Sequence, residues 1–337
     1  MIFRRRQVSG ALFALIIILT LVYGACSRPS LESFSQTRTL MDTFVTITLY
    51  AADEDKAAAA FEAAFERMQQ IEQAASIYGN TAEAYLLNTQ GHIDAPGQDL
   101  KRLVELSIEY GEITGGYFDI TIQPVLELWE SGLWTEPPQV QQQRVDEAME
   151  LVGFDKIIIS SNSISMPDKM KITLGGIAKG FAAGEALKSL ESLGIEHAVV
   201  NAGGDSATLG SKPDNSGWEI SLLNPDNSNE SIISFILKGE SIATSGNYAR
   251  YFDPDKKVSH ILNPLSGYSV SDCISVTVIA PRAELADALA TAIFVMGPIE
   301  GINFINQLEG VECLIIDNFR DIHRSSGLDV FEVPGEN

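Results

Sequence analysis

Cysteine and histidine are scarce in this sequence, and this bounds the kinds of metal site that it can build. Among 337 residues there are three cysteines and four histidines, with no C-x-x-C pair and no cluster that combines the two residue types. A structural zinc site needs such clusters, so the sequence argues against zinc. Cys273 and Cys313 lie in apolar, strand-like runs, which leaves open one disulfide or two buried free thiols.

Basic residues are also few. The chain has 23 Lys and Arg against 45 Asp and Glu, which gives a formal net charge of −22. This charge argues against nucleic acid and against anionic membrane surfaces as partners. Any phosphate site in so acidic a protein must be neutralised locally by a metal, a lysine or a helix dipole.

The chain lacks internal repeats, low-complexity linkers and a regular alternation of strands with helices. Helical patterns dominate the first half, including one at 53–75, and short strand patterns separated by turns dominate the second half. We therefore predict an α+β fold with mixed, mainly antiparallel sheets and packed helices in a single large domain. Predicted strands include 39–50, 170–174, 258–262 and 273–280; predicted helices include 178–192 and 283–296.

Residues 1–25 are typical of a signal peptide, because a basic segment at Arg4–Arg6 is followed by an apolar stretch and small residues. The Gly-Ala-Cys ending at Cys26 resembles a bacterial lipobox, although Tyr23 stands where leucine is usual. The sequence thus predicts lipidation of Cys26, a tether over 26–37 and a catalytic domain over 38–337. The alternative is an ordinary cleaved signal peptide with a chance cysteine.

The segment Lys171–Gly204 carries two glycine pairs, one on each side of a predicted helix and strand. Gly175 and Gly176 precede the helix, and Lys179 lies in its first turn. A helix N-terminus with nearby glycines and a lysine favours an anionic group such as a phosphate. Neither the P-loop nor the G-x-G-x-x-G spacing is present, so a phosphate site here would belong to another family.

Two further patterns suggest chemistry. Asp287 and Thr291 are four positions apart on a predicted helix and share a face, and such hard oxygen donors suit Mg²⁺; taken alone, the pair is more often a cap or a surface pair. His260 lies between turn-rich segments, where a neutral imidazole can act as a general base or simply hold a loop or contact a ligand.

Together these segments resemble the ApbE family of FAD:protein FMN transferases. The motifs MDTF, GYFDIT, LGGIAKGFA, VNAGGD, ATSGNY, SHILNP, SVTVIAP and ADALATAIFVMG occur here in the order typical of that family. The resemblance runs from about Thr39 to Gly297. Family members are typically exported proteins or lipoproteins, which agrees with the pattern around Cys26.

The resemblance implies a role for particular positions. The metal would be bound by the Gly176 carbonyl, Asp287 and Thr291. Thr173, a position implied to contact FAD, stands where the family usually has Asp, and Asn247 and Asn263 also replace common Asp residues. The positions implied to contact the flavin nucleotide are Met41, Tyr78, Asp119, Ile120, Thr121, Thr173, Lys179 and Ile261.

The resemblance further implies an Mg²⁺-dependent transferase that moves FMN from FAD to a threonine hydroxyl of an acceptor redox protein and releases AMP, with His260 as the candidate base. It implies a lipid-anchored protein on the periplasmic side of a bacterial membrane. Two alternatives share the same site: an FAD pyrophosphatase that uses water as nucleophile, and a flavin-binding lipoprotein without turnover.

Overall fold

The computed structural model describes residues 30–253, 255 and 258–333. Its strands are β1 (Glu32–Leu40), β2 (Thr43–Ala51), β3 (His92–Asp94), β4 (Ile158–Ile159), β5 (Ser163–Ser165), β6 (Ala198–Ala202), β7 (Asp205–Leu209), β8 (Trp218–Asn224), β9 (Asn227–Leu237), β10 (Ser241–Gly246), β11 (Cys273–Ala280), β12 (Glu312–Asp317) and β13 (Ile322–Arg324). The main feature is an eight-stranded sheet of order β1-β2-β6-β7-β10-β11-β12-β13, in which every neighbouring pair is antiparallel. The strands β3-β5-β4 and β8-β9 form two smaller sheets.

The helices are α1 (Glu54–Ala75), α2 (Glu83–Gln90), α3 (Gln98–Ile113), α4 (Gln123–Glu130), α5 (Pro138–Met149), α6 (Ala178–Ser192), α7 (Ala283–Met296) and α8 (Pro298–Ile305). Three of them cover one face of the large sheet. Helix α1 packs on β1 and β2, α6 on β6 and β7, and α7 on β10 and β11, and α6 lies between the other two. The opposite face is covered in part by the β8–β9 hairpin, whose Phe235 and Leu237 pack on Ile279 and Leu314.

This architecture confirms the predicted α+β class with mainly antiparallel sheets. The run CISVTVIA of β11 is buried along its whole length because helix α7 covers one of its faces and the β8–β9 hairpin the other. The sequence of a strand covered on both faces is continuously apolar, because no position alternates to solvent. Cys273 and Cys313 are both buried free thiols, so they do not pair.

The N-terminal prediction needs two corrections. Residues 32–37, predicted as part of a tether, belong to β1, which pairs with β2 from Glu32 opposite Ala51 to Leu40 opposite Thr43. The polar sequence of β1 is compatible with a strand because cross-strand hydroxyls pair, as Thr37 does with Thr46 at 2.9 Å. The predicted single strand 39–50 is instead the end of β1, a two-residue turn and most of β2. Cys26 lies outside the described residues.

The predicted strand 170–174 does not form, because other groups already satisfy its backbone. The side-chain amide of Asn88 accepts from the Ile172 N–H at 2.7 Å and donates to the Ile172 carbonyl at 2.8 Å. The Thr173 N–H donates to the carbonyl of Ile120 at 2.7 Å. Residues 258–262 likewise make only isolated bridges, Tyr251 with Ser259 and Leu262 with Ser269.

Within the described ranges, no helix has the length and apolar character needed to span a bilayer.

Candidate functional site

A two-chambered cleft lies between the ends of α1, α6 and α7 and the loops that precede α4 and follow β10. The first chamber encloses about 320 Å³ and the second about 400 Å³. The two chambers share a waist formed by Thr173, Gly175, Lys179, Arg250 and His260. Clefts of this size and with convergent polar groups are typical ligand sites. A wider depression of about 670 Å³ beside α8 contains none of the predicted site residues.

The fold brings the predicted site residues together from distant parts of the sequence. Met41 and Tyr78 line the second chamber only, and Thr173, Lys179 and His260 line both. Of the residues predicted to contact the flavin nucleotide or the metal or to act as base, all except Thr121 line one of the chambers. The members confined to the first chamber are Asp119, Ile120, Gly176, Ile261, Asp287 and Thr291.

Met41 reaches the second chamber from a strained turn. Met41 and Asp42 have φ angles of 53° and 58°, and together they connect β1 to β2. A two-residue hairpin with both central φ angles positive usually contains Asn or Gly, so these side chains carry a conformational cost. The Met41 N–H is held by a hydrogen bond to the Glu72 carboxylate at 2.9 Å, which fixes the turn to the end of α1.

The side chains of Asp119 and Thr121 are buried and hydrogen-bond to each other and to nearby backbone N–H groups, and they do not point to a ligand as a pair. The Asp119 carboxylate accepts from the Thr121 N–H at 2.8 Å, the Thr121 hydroxyl at 2.6 Å and the Phe154 N–H at 3.0 Å. The Thr121 hydroxyl oxygen accepts from the Gly153 N–H at 2.7 Å. Burial raises the pKa of Asp119, and these hydrogen bonds oppose the shift. Thr121 therefore lies behind the cleft wall, where it supports the loop that carries Asp119 and Ile120.

The candidate metal ligands converge at the base of the first chamber. Asp287 and Thr291 lie on the same face of α7, and a Cβ added to Gly176 would lie 3.0 Å from the Thr291 hydroxyl oxygen. One Asp287 oxygen accepts from the Gly180 N–H at 3.0 Å. In the described part of the chain, no group of three or more His, Cys, Asp or Glu side chains is placed to bind a metal. A metal here would therefore depend on a carboxylate, a hydroxyl and a carbonyl, which are hard oxygen donors that fit Mg²⁺.

Lys179, Asp205 and Asp287 form a charge cluster beside these donors. The Lys179 ammonium forms an ion pair with Asp205, whose side chain is almost completely buried. Burial raises the pKa of Asp287 to about 7, and the nearby Lys179 opposes this shift. Burial alone would lower the pKa of Lys179, but Asp205 and Asp287 together raise it above its ordinary value. Lys179 thus stays charged at the waist of the cleft.

The orientation of His260 defines its neutral tautomer. Its Nδ1 atom lies 3.1 Å from the Arg250 carbonyl oxygen, which can only accept a hydrogen bond. Nδ1 therefore carries the proton, and the Nε2 lone pair remains available as a proton acceptor. Burial lowers the pKa of His260, and the positive charges of Arg250 and Lys179 lower it further, against the hydrogen bond to the Arg250 backbone. The imidazole is therefore neutral at pH 7.

Both glycine pairs contribute to the first chamber, because Gly203 lines it together with Gly175 and Gly176. The Gly203 N–H donates to the Phe44 carbonyl at 3.1 Å, and the Gly204 N–H donates to the Asn201 side chain at 3.2 Å. Both N–H groups are used within the fold, so the second pair forms the turn between β6 and β7 and these two N–H groups do not point to a phosphate. Gly175 and Gly176 line the cleft immediately before α6.

Two residues that shape the site were not among the positions predicted for it. Arg250 lines both chambers, and the Ser245 hydroxyl lies 3.2 Å from that of Thr291. Both lie in TSGNYARYF, which alone indicates only a polar turn. Asn247 and Asn263 do not line either chamber; they hydrogen-bond to the Cys273 carbonyl and the Leu265 N–H, respectively.

Comparisons with known proteins find similar sequences and structures over most of the chain. A model of the ApbE family matches residues 41–315. The FAD:protein FMN transferase of Haemophilus influenzae is 29% identical over 236 residues, which cover 66% of this chain and 68% of that protein. A protein of the same name from Treponema pallidum is 26% identical and is matched over 93% of this chain and 92% of its own length. The crystal structure of the ApbE protein of Thermotoga maritima superposes with a TM-score of 0.81 and 28% identity, covering 90% of this chain and all of that one.

Proposed function

Because the chain belongs to the ApbE family, we propose that it transfers FMN from FAD to an acceptor protein. The observation that carries this proposal is the waist of the cleft, where Lys179, Arg250 and His260 line both chambers. FAD consists of two nucleotide halves joined by a pyrophosphate. A cleft with two chambers and a cationic waist matches that layout, with the pyrophosphate between the halves.

The proposal extends to Mg²⁺. Gly176, through its carbonyl, and the side chains of Asp287 and Thr291 would bind the ion. When bound, Mg²⁺ supplies positive charge that offsets the negative charge developing on the pyrophosphate oxygens. A side chain at position 176 would crowd Thr291, and this supports glycine as a requirement of the site.

The chain's own residues then account for the transfer step. The hydroxyl oxygen of an acceptor threonine forms a bond to the phosphorus of the FMN half, while the bond from that phosphorus to the bridging oxygen breaks and AMP leaves. The Nε2 atom of His260 accepts the hydroxyl proton. Lys179 and Arg250 bind and orient the pyrophosphate, so that most of the catalysis comes from positioning and charge.

An incubation of the purified residues 30–337 with FAD, Mg²⁺ and a threonine-bearing redox subunit tests the proposal. We expect flavin fluorescence on the acceptor band in a denaturing gel, with one AMP released per flavin attached. A variant of the acceptor with alanine in place of the threonine, and a reaction with EDTA, should both remain dark. Free FMN and AMP without labelled protein would instead identify a pyrophosphatase, and unchanged FAD would identify a binding protein.

We also propose that Cys26 carries a lipid and anchors the domain on the periplasmic side of a bacterial membrane. The support is the basic, apolar and small-residue order of residues 1–26. Detergent partitioning tests this: the full chain should enter the detergent phase, and its Cys26→Ser variant should not be processed to the lipidated form. Processed full-length protein that stays in the aqueous phase would contradict the anchor.

A further inference from the structure

Asp205 is a buried acid that the proposed mechanism does not use. It is 2% exposed, begins β7 and lines neither chamber of the cleft. One carboxylate oxygen pairs with the Lys179 ammonium, and the other accepts from the Thr244 N–H at 3.2 Å. Both oxygens are thus engaged, and the Thr244 backbone on β10 fixes their orientation.

Lys179 has a second acid within electrostatic reach. Asp287 is also buried, at 4% exposure, and interacts with Lys179 through space. The backbone contact is closer still, because Gly180, the next residue after Lys179, donates its N–H to Asp287 at 3.0 Å. The Lys179 side chain is 31% exposed. A largely buried ammonium that loses its partner is destabilised, so a Lys179 that lost Asp205 would turn to the remaining carboxylate.

We propose that Asp205 is a positioning residue that holds the Lys179 ammonium away from Asp287, so that the Asp287 carboxylate remains available to a divalent cation. This inference rests on the metal site of the proposed function. It assigns Asp205 no contact with the cation or with FAD. It explains why a buried acid that does not face the cleft lies beside the candidate metal ligands.

The proposal separates two effects of removing the Asp205 charge. The Asp205 charge attracts a cation weakly at a distance. Its removal in Asp205→Asn would therefore weaken cation binding modestly, independently of where the Lys179 ammonium lies. The released Lys179 would additionally compete for Asp287 as an internal cation. Only this second effect disappears when Lys179 is removed as well, so a double-mutant comparison isolates it.

The experiment measures Mn²⁺ binding to the domain without FAD, by electron paramagnetic resonance of free Mn²⁺, for four variants and a control. We expect Asp205→Asn to raise the Mn²⁺ Kd by about 10-fold or more. The double variant Asp205→Asn, Lys179→Met should recover to within about 3-fold of wild type, because the competing ammonium is gone. Lys179→Met alone should bind Mn²⁺ at least as tightly as wild type. Asp287→Asn should bind none, and the control Asp226→Asn, which removes the acid of the exposed Arg320–Asp226 pair, should match wild type.

The Mn²⁺ affinities distinguish the positioning role of Asp205 from the cation site on which that role depends. A wild-type Kd in Asp205→Asn, or a double variant no tighter than that single variant, overturns the positioning role. Wild-type protein that binds no Mn²⁺ overturns the cation site of the proposed function and the inference with it. If Asp205→Asn does not fold, Lys179→Met still tests the idea, because weaker Mn²⁺ binding in that variant would contradict competition by Lys179.

Discussion

Gly180 on α6 lies against the backbone of Ala283 on α7, so closely that a Cβ on Gly180 would be 2.3 Å from the Ala283 carbonyl oxygen. The same Cβ would be 2.8 Å from Cβ of Asp287. Glycine at this position therefore sets the distance between the helix that follows the glycine turn and the helix that carries Asp287. The geometry of the candidate metal site depends on this contact.

Gly180→Ala should destabilise the domain by about 1–3 kcal/mol, because backbone atoms cannot move aside as a flexible side chain can. Gly184→Ala, one turn later on the same helix, is the matched control, because its Cβ would meet the nearest atom at an ordinary 3.6 Å. That variant should be neutral or more stable by up to about 1 kcal/mol, the helix-propensity difference. Urea unfolding of both variants measures the two effects. If Gly180→Ala is as stable as Gly184→Ala, then α6 and α7 can move apart at little cost.

His260→Ala should reduce the rate of transfer at saturating FAD by about 10²- to 10⁴-fold, the usual contribution of one positioned base. FAD affinity should stay near the wild-type value. His92→Ala is the control, because His92 makes a similar 3.1 Å contact to a carbonyl but lies outside the cleft. If the rate at saturating FAD is unchanged in His260→Ala, then His260 is not the base and contributes to binding only.

The pH profile of transfer should have an acidic limb that belongs to His260. Protonation of Nε2 removes the acceptor, so the rate falls as pH falls through the pKa of His260. That pKa is lowered from its ordinary value of 6.5, chiefly by burial. The limb should therefore lie below pH 6.5. At saturating Mg²⁺, which would keep Asp287 ionised despite its raised pKa, single-turnover rates should be constant from about pH 7 to 8. The acidic limb should vanish in His260→Ala, and a limb that persists would belong to another group.

Asp287→Asn should lower Mg²⁺-dependent transfer by roughly 10²- to 10³-fold, the effect of a few kcal/mol of lost charge stabilisation. The amide oxygen can still accept from the Gly180 N–H, so the midpoint temperature of unfolding should not fall. Asp272→Asn on an exposed loop is the control. Turnover close to wild type with a normal Mg²⁺ requirement would place the cation elsewhere.

Arg67 connects three helices, and its replacement should reduce stability. It pairs with Asp99 at 2.5 Å and Glu185 at 2.7 Å, and all three side chains are largely buried. Arg67→Met keeps the apolar stem but removes these bonds, which should cost about 1–2 kcal/mol after allowance for partial exposure. Arg38→Met, which breaks a more exposed pair with Glu62, should cost less than Arg67→Met.

The loss of stability caused by Arg67→Met should become smaller at acidic pH. Burial alone would raise the pKa of Glu185, but hydrogen bonds from Lys188 and Arg67 lower it below its ordinary 4.5. A lowered folded-state pKa stabilises the fold above pH 4.5, and this contribution is lost as pH falls through the folded value. The difference between wild type and variant should therefore shrink below about pH 4.5. A constant difference down to pH 3 would exclude Glu185 from the effect.

The sequence predicts well those elements whose environment is uniform along their length. The bounds of 178–192, 273–280 and 283–296 agree with α6, β11 and α7. Each is continuously helical in pattern or continuously apolar, so the local signal and the tertiary environment agree. The turn at Met41–Asp42 could not be predicted, because neither residue favours a positive φ and only the sheet makes it necessary. Strand 170–174 failed because a side chain, Asn88, takes the place of a neighbouring strand.

The site was predictable as a set of positions and not as a set of contacts. Ordered motifs indicated which segments converge, and the fold places every predicted flavin, metal and base position except Thr121 on the cleft. The direction in which a carboxylate points is not visible in sequence: Asp119 turns inward to backbone N–H groups, and Asp205 faces a lysine. Such choices depend on partners that lie tens of residues away along the chain.

The early start of β1 bears on where the enzyme can act. If Cys26 carries a lipid as proposed, residues 27–31 are the only link between the anchor and the sheet, a span of about 20 Å when fully extended. A link this short would confine the cleft to a thin layer above the bilayer and restrict its rotation. Acceptors held in the same membrane would then meet the enzyme by lateral diffusion at a raised effective concentration, whereas freely dissolved acceptors would gain no such advantage.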